Sequence, residues 1–322
     1  MTPEVHVDLT VAGDASIDHF VQVPHIAHSD NKAIGQYLGS FGGGMSANLA
    51  AAAAAHGVSS RLVTSVGDDE ESAQALAMLQ DLGVDVDSVQ RVAGQRTWMC
   101  FIQLDDSGEK ALIGADTGIK LPEAGRIGRD VLAGSRIVAP LADDLCWALE
   151  IAQQARSAGT TVAIDLEPDA FEPGTSVLRD LLSLSDLVFM NSGSAAKLSG
   201  GTGTHAHVDA ARACHERGVS TVVVGRGRHG AFCSTLHEGT WTAEAVAPPG
   251  VVDTTGAGDA LAGGFLGSLL HGFPIEESLG RAVSQATAST EHLGSRTYLE
   301  DLDDIETLLQ RHPITIERIP ND

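Results

Sequence analysis

Lysine is nearly absent: only Lys32, Lys110, Lys120 and Lys197 occur in 322 residues. Lysine and arginine together number 20 against 43 aspartates and glutamates, giving a formal charge of −23 at pH 7. So few cations argue against a general binder of nucleic acid or of an anionic membrane, because such surfaces need clustered Lys and Arg. Cysteine is scarce too. Cys100, Cys146, Cys214 and Cys233 form no C-x-x-C pair, so they read as small buried apolar residues and not as a disulfide framework or zinc site. No apolar run approaches the ~18–20 residues of a membrane span. The longest candidate, 49–55, is an alanine run closed by His56-Gly57. Met1–Val5 lacks the basic and then apolar regions of a signal peptide, so a cytoplasmic, soluble protein is expected.

What is present suffices for a globular chain. Hydrophobic residues make up 43%, enough for the core of one large α/β domain or two smaller ones. Short apolar strands alternate with helical stretches. Val5–Val11 reads as a first strand ending in Gly13, 48–55 as an alanine-rich helix suited to close approach of another backbone, and Arg61–Val66 as a strand. Residues 70–82 carry Leu76, Leu79 and Leu82 at helical spacing, with Gly83 as the stop. From Arg136 the rhythm is regular. Strands are expected at 136–139, 161–164, 187–190 and 221–224, with helices between them that stop near Gly159 and Gly218. That order predicts parallel βαβ units in a doubly wound, mostly parallel sheet flanked by helices. One segment departs from it: 97–104 and 110–113 flank Asp105-Asp106-Ser107-Gly108, a hairpin signal. Its Trp98–Ile102 run is apolar on both alternating faces, so the hairpin should cover a substrate, a partner subunit, or both. No internal repeat or long linker interrupts the chain, so residues 1–322 read as a single domain with a small β appendage.

The sharpest motif is Asp253-Thr254-Thr255-Gly256-Ala257-Gly258-Asp259, between Pro248-Pro249-Gly250 and an apolar helical run. It places Gly256, Ala257 and Gly258 at a helix N-terminus, where unpaired N–H groups and the macrodipole favour negative charge. A carboxylate at Asp259, beside such an anion cradle, suits removal of a proton from a hydroxyl nucleophile. Phe41-Gly42-Gly43-Gly44 opens the alanine helix, and Asn48 on that helix offers both donor and acceptor to sugar hydroxyls. Asp18 follows the first strand by five residues after Gly13, where open α/β sheets bind ligands. Gly225-Arg226-Gly227-Arg228-His229-Gly230 superficially resembles a dinucleotide fingerprint. The segment after it reads as a strand, however, so a hairpin or nucleotide-contacting loop fits better.

In this order and spacing, the motifs resemble the PfkB carbohydrate kinase family, the ribokinase-like sugar kinases. The resemblance covers most of the chain and implies a ribokinase-like α/β fold with a small β-sheet lid, formed by about 17–40 and 96–114. It implies in-line phosphoryl transfer from ATP with Mg2+, Asp259 as general base, and Gly256, Ala257 and Gly258 as the anion hole. Asp18, Gly43, Gly44 and Asn48 match the sugar-binding positions. Asn191, Gly225, Gly227, Gly230 and Thr255 match nucleotide contacts. Many members also use a monovalent cation near the loop that begins at Asp253, so K+ belongs to the expectation. Ser46 departs from the family's N-terminal signature, where a glycine, alanine or proline is usual. A second departure lies at the metal. The family's N-x-x-E motif appears as Asn191-Ser192-Gly193-Ser194, which keeps an asparagine for magnesium through water but puts serine in place of the acid. Asp165 and Glu167 are the nearby carboxylates that would compensate.

The acceptor is left open. Trp98 and Phe101 would stack on the base of a nucleoside acceptor, although packing of the lid or a dimer explains them as well. A phosphosugar acceptor would need a cation such as Arg96 or Lys32, and scarce lysine favours a neutral one. A catalytically weak sugar- or nucleotide-binding regulator is the reading of another class. The apolar lid predicts a homodimer through the lids.

Overall fold

Apolar residues on both faces of successive strands demand a sheet covered on both sides. The computed structural model describes residues 7–105, 110–201, 204–246, 248, 250–300, 302 and 304–320. Its strands are β1 (Val7–Gly13), β2 (Ser16–Val23), β3 (Gln36–Gly43), β4 (Ser60–Val66), β5 (Val84–Asp85), β6 (Gln90–Arg91), β7 (Met99–Asp105) and β8 (Lys110–Ala115). There follow β9 (Ser135–Pro140), β10 (Thr161–Leu166), β11 (Leu187–Asn191), β12 (Thr221–Gly225), β13 (Ala231–Thr235), β14 (Thr240–Ala245) and β15 (Ile314–Ile319). The helices are α1 (Met45–Ala54), α2 (Glu70–Asp81), α3 (Arg129–Ala133), α4 (Leu145–Ser157), α5 (Ser176–Leu184) and α6 (Ser192–Ser199). The remainder are α7 (Thr204–His215), α8 (Ala257–His271), α9 (Ile275–Ser289), α10 (Thr297–Glu300) and α11 (Ile305–Arg311).

The large sheet runs β15-β14-β13-β12-β11-β10-β9-β1-β4-β5, with β6 also on β4. It is parallel from β12 through β5, and its β13–β15 edge is antiparallel. Leu9, Val11, Phe189 and Val223 bury one face against α1, α8 and α9. Val138, Val162, Val188 and Val222 bury the other against α4, α5 and α7. The doubly wound expectation therefore holds. The first strand lies at Val7–Gly13; Val5 and His6, where the sequence reading started it, fall outside the described residues, as do Asp106-Ser107-Gly108 of the expected hairpin turn and Pro249. Among the described residues no helix is long and apolar enough to cross a membrane.

A second, four-stranded sheet, β3-β2-β7-β8, is the small sheet expected of the lid segments. In it β2 pairs antiparallel with β3 and parallel with β7, and β7 pairs antiparallel with β8. Asp18 stands in the second strand, just after the first. The chain turns within Asp14-Ala15 and places it as the third residue of β2.

The alanine run of α1 is explained by α8. A Cβ on Gly263 would lie 2.5 Å from the Leu49 carbonyl oxygen and 2.6 Å from Ala52 Cβ. The two backbones thus nearly touch, and that contact carries Asn48 to the start of α8. Gly263→Val is expected to cost roughly 3 kcal/mol, lowering Tm by about 5–10 °C in a thermal melt. An unchanged Tm would show that the helices can separate freely.

Candidate active site

The C-terminal ends of β1, β9 and β10, the N-termini of α1 and α8, and the underside of the small sheet converge on one cleft. Asp14, Gly44, Asn48, Thr255, Gly256, Gly258 and Asp259 line it from the large sheet's side, and Asp18, Trp98, Cys100, Leu112, Gly114 and Lys120 from the other. An adjoining cavity is lined by Asp143, Asp165, Glu167 and Asp259. Glu167 and Asp259 border both.

Asp259 stands in the first turn of α8, whose leading N–H groups have no acceptor within the helix. Its Oδ2 accepts a 2.7 Å hydrogen bond from Asn48 Nδ2. Burial, opposed by that bond and reinforced by Asp165, Asp14 and Glu167, holds its pKa well above the usual carboxylate range. Gly256 precedes the helix at φ 77°, and a Cβ there would lie 2.6 Å from Ser295 Cβ. Only glycine meets both demands. The Ala257 N–H makes a long 3.4 Å bond to the Thr254 carbonyl.

Asp18 accepts 2.8 Å from Ser16 Oγ, and its carboxylate fills the space a Cβ on Gly43 would need, 2.3 Å away. Burial pushes it up to about 6, against the hydrogen bond from Ser16 and the charge of Arg296. Asp14 went unnoticed in the sequence, although it directly follows the first strand. It is buried and accepts 3.0 Å from the Ser46 N–H, capping α1 from outside the helix because Gly44 has no side chain to do so.

Lysine enters the site after all. Lys110 on β8 donates to Thr255 Oγ1 at 2.7 Å and lies 3.6 Å from Asp253 Oδ1. Asp253 is otherwise engaged by the Thr255 N–H and hydroxyl at 2.9 and 2.7 Å and by the Gly294 N–H at 3.1 Å. Lys120 pairs with Asp143 and lies over the Trp98 ring. Arg96 and Lys32, the cations singled out for a phosphosugar, are exposed and do not line the cleft. Of the two lid aromatics, only Trp98 lines the cleft. Phe101 is 44% exposed and stacks on His19 at 5.3 Å.

Of the expected nucleotide residues Thr255 lines the cleft, whereas Asn191, Gly225, Gly227 and Gly230 lie along the strand ends without lining it. Asn191 caps α6 and pairs with Gly225 across β11 and β12, and Gly225 faces Leu261 of α8. Gly227 opens the turn that returns through Gly230 into β13. Asn191 Oδ1 accepts from the Ser194 N–H at 2.9 Å, and its Nδ2 donates to Glu167 Oε2 at 3.2 Å. Ser194 is fully buried, with its hydroxyl donated to the Leu166 carbonyl at 2.5 Å. Burial, then the charge of Glu167, pushes Asp165 up to about 7. Among the described residues no group of three or more His, Cys, Asp or Glu is arranged to hold a metal ion.

An anion-favouring helix N-terminus in an acid-lined cleft, at the strand ends of a doubly wound sheet and beneath a small one, belongs to an α/β phosphotransferase. Residues 7–302 match the model of the pfkB family carbohydrate kinases, and the chain belongs to that family. It is 28% identical over 301 residues to a bifunctional ribokinase/ribose-5-phosphate isomerase A of Fructilactobacillus sanfranciscensis, covering 90% of this chain but only about half, 52%, of that relative. It is 27% identical to a ribokinase of Haemophilus influenzae (90% of this chain, 94% of the relative) and 28% to a cytidine kinase of Thermococcus kodakarensis (87% and 95%). The structure of Arabidopsis thaliana ribokinase complexed with ribose and ATP superposes with a TM-score of 0.79 at 24% identity, covering 94% of this chain and 99% of that one. At that identity the likeness is one of fold.

Proposed function

We propose that this protein transfers the γ-phosphoryl group of ATP to a hydroxyl of a small, neutral sugar or sugar-like acceptor. Asp18, Asn48 and the backbone of Gly43 and Gly44 hold the acceptor. Asp259 takes the hydroxyl proton as the new O–P bond forms, and the bond from Pγ to the ADP oxygen breaks. The N–H groups of Gly256, Ala257 and Gly258 stabilise the charge on the group in flight. Asn191, Gly225, Gly227, Gly230 and Thr255 hold the nucleotide. The observation that carries this reading is the Asn48–Asp259 hydrogen bond, which ties the acceptor-side helix to the acid at the anion-favouring N-terminus.

Magnesium fits the oxygen donors present, since it binds through one or two carboxylates with phosphates and water. Glu167 and, through water, Asn191 would hold it, and bound Mg2+ would neutralise charge on the phosphates. A K+ ion at Asp253 would have to share that acid with the Lys110 ammonium.

A nucleoside is the second acceptor class, favoured by Trp98 on the cleft wall. The test is ATP consumption against a panel of sugars and nucleosides, with Asp259→Asn as control. Ligand binding without turnover on any acceptor would instead favour a regulatory binding protein. The outer side of the small sheet exposes Tyr37, Phe101 and Ile113, which supports a homodimer through the lids. Light scattering should give twice the chain mass; a monomer at working concentration would reject it.

A further inference from the structure

Beneath the acceptor site lies a cation with no obvious partner. Arg296, just before α10, is 3% exposed, yet neither Nη1 nor Nη2 has a hydrogen-bond partner. Its guanidinium occupies the space a side chain at Gly42 would take: a Cβ there would lie 1.9 Å from Nη2. The neighbouring Gly43 is cleared in the same way for the Asp18 carboxylate. Two adjacent glycines at the end of β3 therefore admit one buried cation and one buried anion. The charged groups acting most strongly on Arg296 are Asp18, Glu300, Asp259 and Asp14, and among the described residues none forms an ion pair with it. Asp18 meets, besides Arg296, the Ser16 hydroxyl on its own strand, Cys100 across β7, and Asp14. Burial pushes the Cys100 thiol up to about 12, so it contributes no charge near neutral pH.

A buried guanidinium without hydrogen bonds is costly and persists where surrounding anions need it. We propose that Arg296 is a positioning residue of the acceptor site, whose buried charge keeps the Asp18 carboxylate ionised and ready to accept hydrogen bonds from acceptor hydroxyls. Only a full negative charge makes Asp18 an acceptor at both oxygens; protonated, it would turn one oxygen into a donor. Arg296 acts through space and does not itself line the cleft. The proposal rests on the acceptor-side role given to Asp18 above, and its test does not depend on turnover.

The experiment is a carboxyl 13C NMR titration of the free protein, with Asp18 assigned by its absence in Asp18→Asn. The wild-type midpoint is expected near 6. In Arg296→Met it should rise by about one pH unit, a tenfold loss of the ionised form, and Arg296→Lys should restore most of it. The KM for D-ribose, used as the probe, should then climb more steeply on acidification in Arg296→Met than in wild type. A folded Arg296→Met whose Asp18 titrates as in wild type overturns the proposal. If that variant does not fold, Gly42→Ala displaces the guanidinium while keeping its charge. It should raise the Asp18 midpoint in the same direction, and an unmoved midpoint there is equally fatal. Failure to phosphorylate D-ribose or any other sugar would count against the kinase reading alone, since the titration is read without substrate.

Discussion

Asp259→Asn is expected to lower kcat by about three orders of magnitude, within the range for loss of a positioned general base. The exchange is nearly isosteric. The amide oxygen can still accept from Asn48 Nδ2, so the 2.7 Å contact between α1 and α8 should survive, and with it the fold and the acceptor KM. What disappears is the capacity to take a proton. The pH profile separates this from a packing defect. Burial, with like charges at Asp165, Asp14 and Glu167, favours the protonated form of Asp259. The basic form is therefore depleted on acidification and recovers as pH rises through the raised pKa. Wild-type kcat/KM should climb across that interval, whereas the residual rate of Asp259→Asn should lack that limb. Steady-state kinetics across pH check both. An Asn variant that keeps the wild-type limb would assign the proton transfer to another group.

The fold was legible because its signals are local. Strand spacing from Arg136 onward, the glycine stops and the alanine face of α1 each depend on residues a few positions apart, and all appear in the structure. The strands β14 and β15 went unread. No residue of β15, the edge strand, is buried, so no core-facing pattern announces it. The same distinction divides the site. Gly256 to Asp259 stand together in the chain, and their helix N-terminus follows from composition. Lys110, Asp14 and Arg296 join that site only after the sheet is wound, from positions with no motif around them. Lys110 shows this most clearly: it lies outside every glycine signature, yet the small sheet carries it to Thr255. Trp98 and Phe101 are three residues apart, so strand alternation sends them to opposite faces, and Trp98 alone of the two lines the cleft while Phe101 stacks on His19. The excess of acid also takes on a location. Asp14, Asp143, Asp165, Glu167 and Asp259 concentrate at the cleft that, on the proposed function, handles a polyphosphate. Local cations and amide donors, not net charge, must make that tolerable.

That concentration directs attention to magnesium, and to Glu167 in particular. Serine at 194 cannot be read as a vacated metal ligand that water simply fills. Its hydroxyl is fully buried and committed to the Leu166 carbonyl, so the position faces the protein interior. Glu167, two residues beyond Asp165 at the end of β10, borders both cavities and receives the Asn191 amide. Asp165 borders only the inner one. Glu167→Gln keeps the shape and the contact to Asn191 but removes the charge. It is expected to raise the magnesium concentration for half-maximal rate roughly tenfold, with acceptor KM little changed and kcat largely recovered at excess magnesium. Calorimetric titration of magnesium into the protein with a non-hydrolysable ATP analogue should show the same weakening without turnover. Ser194→Glu should fail as a rescue. A carboxylate forced into that fully buried site against a carbonyl oxygen costs several kcal/mol, so the double variant should melt earlier and keep its high magnesium requirement. If Ser194→Glu instead lowered the requirement, the acid would have reached the metal from position 194, and Glu167 would lose the role. If Glu167→Gln left both titrations unchanged, the charge at the end of β10 would have no part in holding the ion.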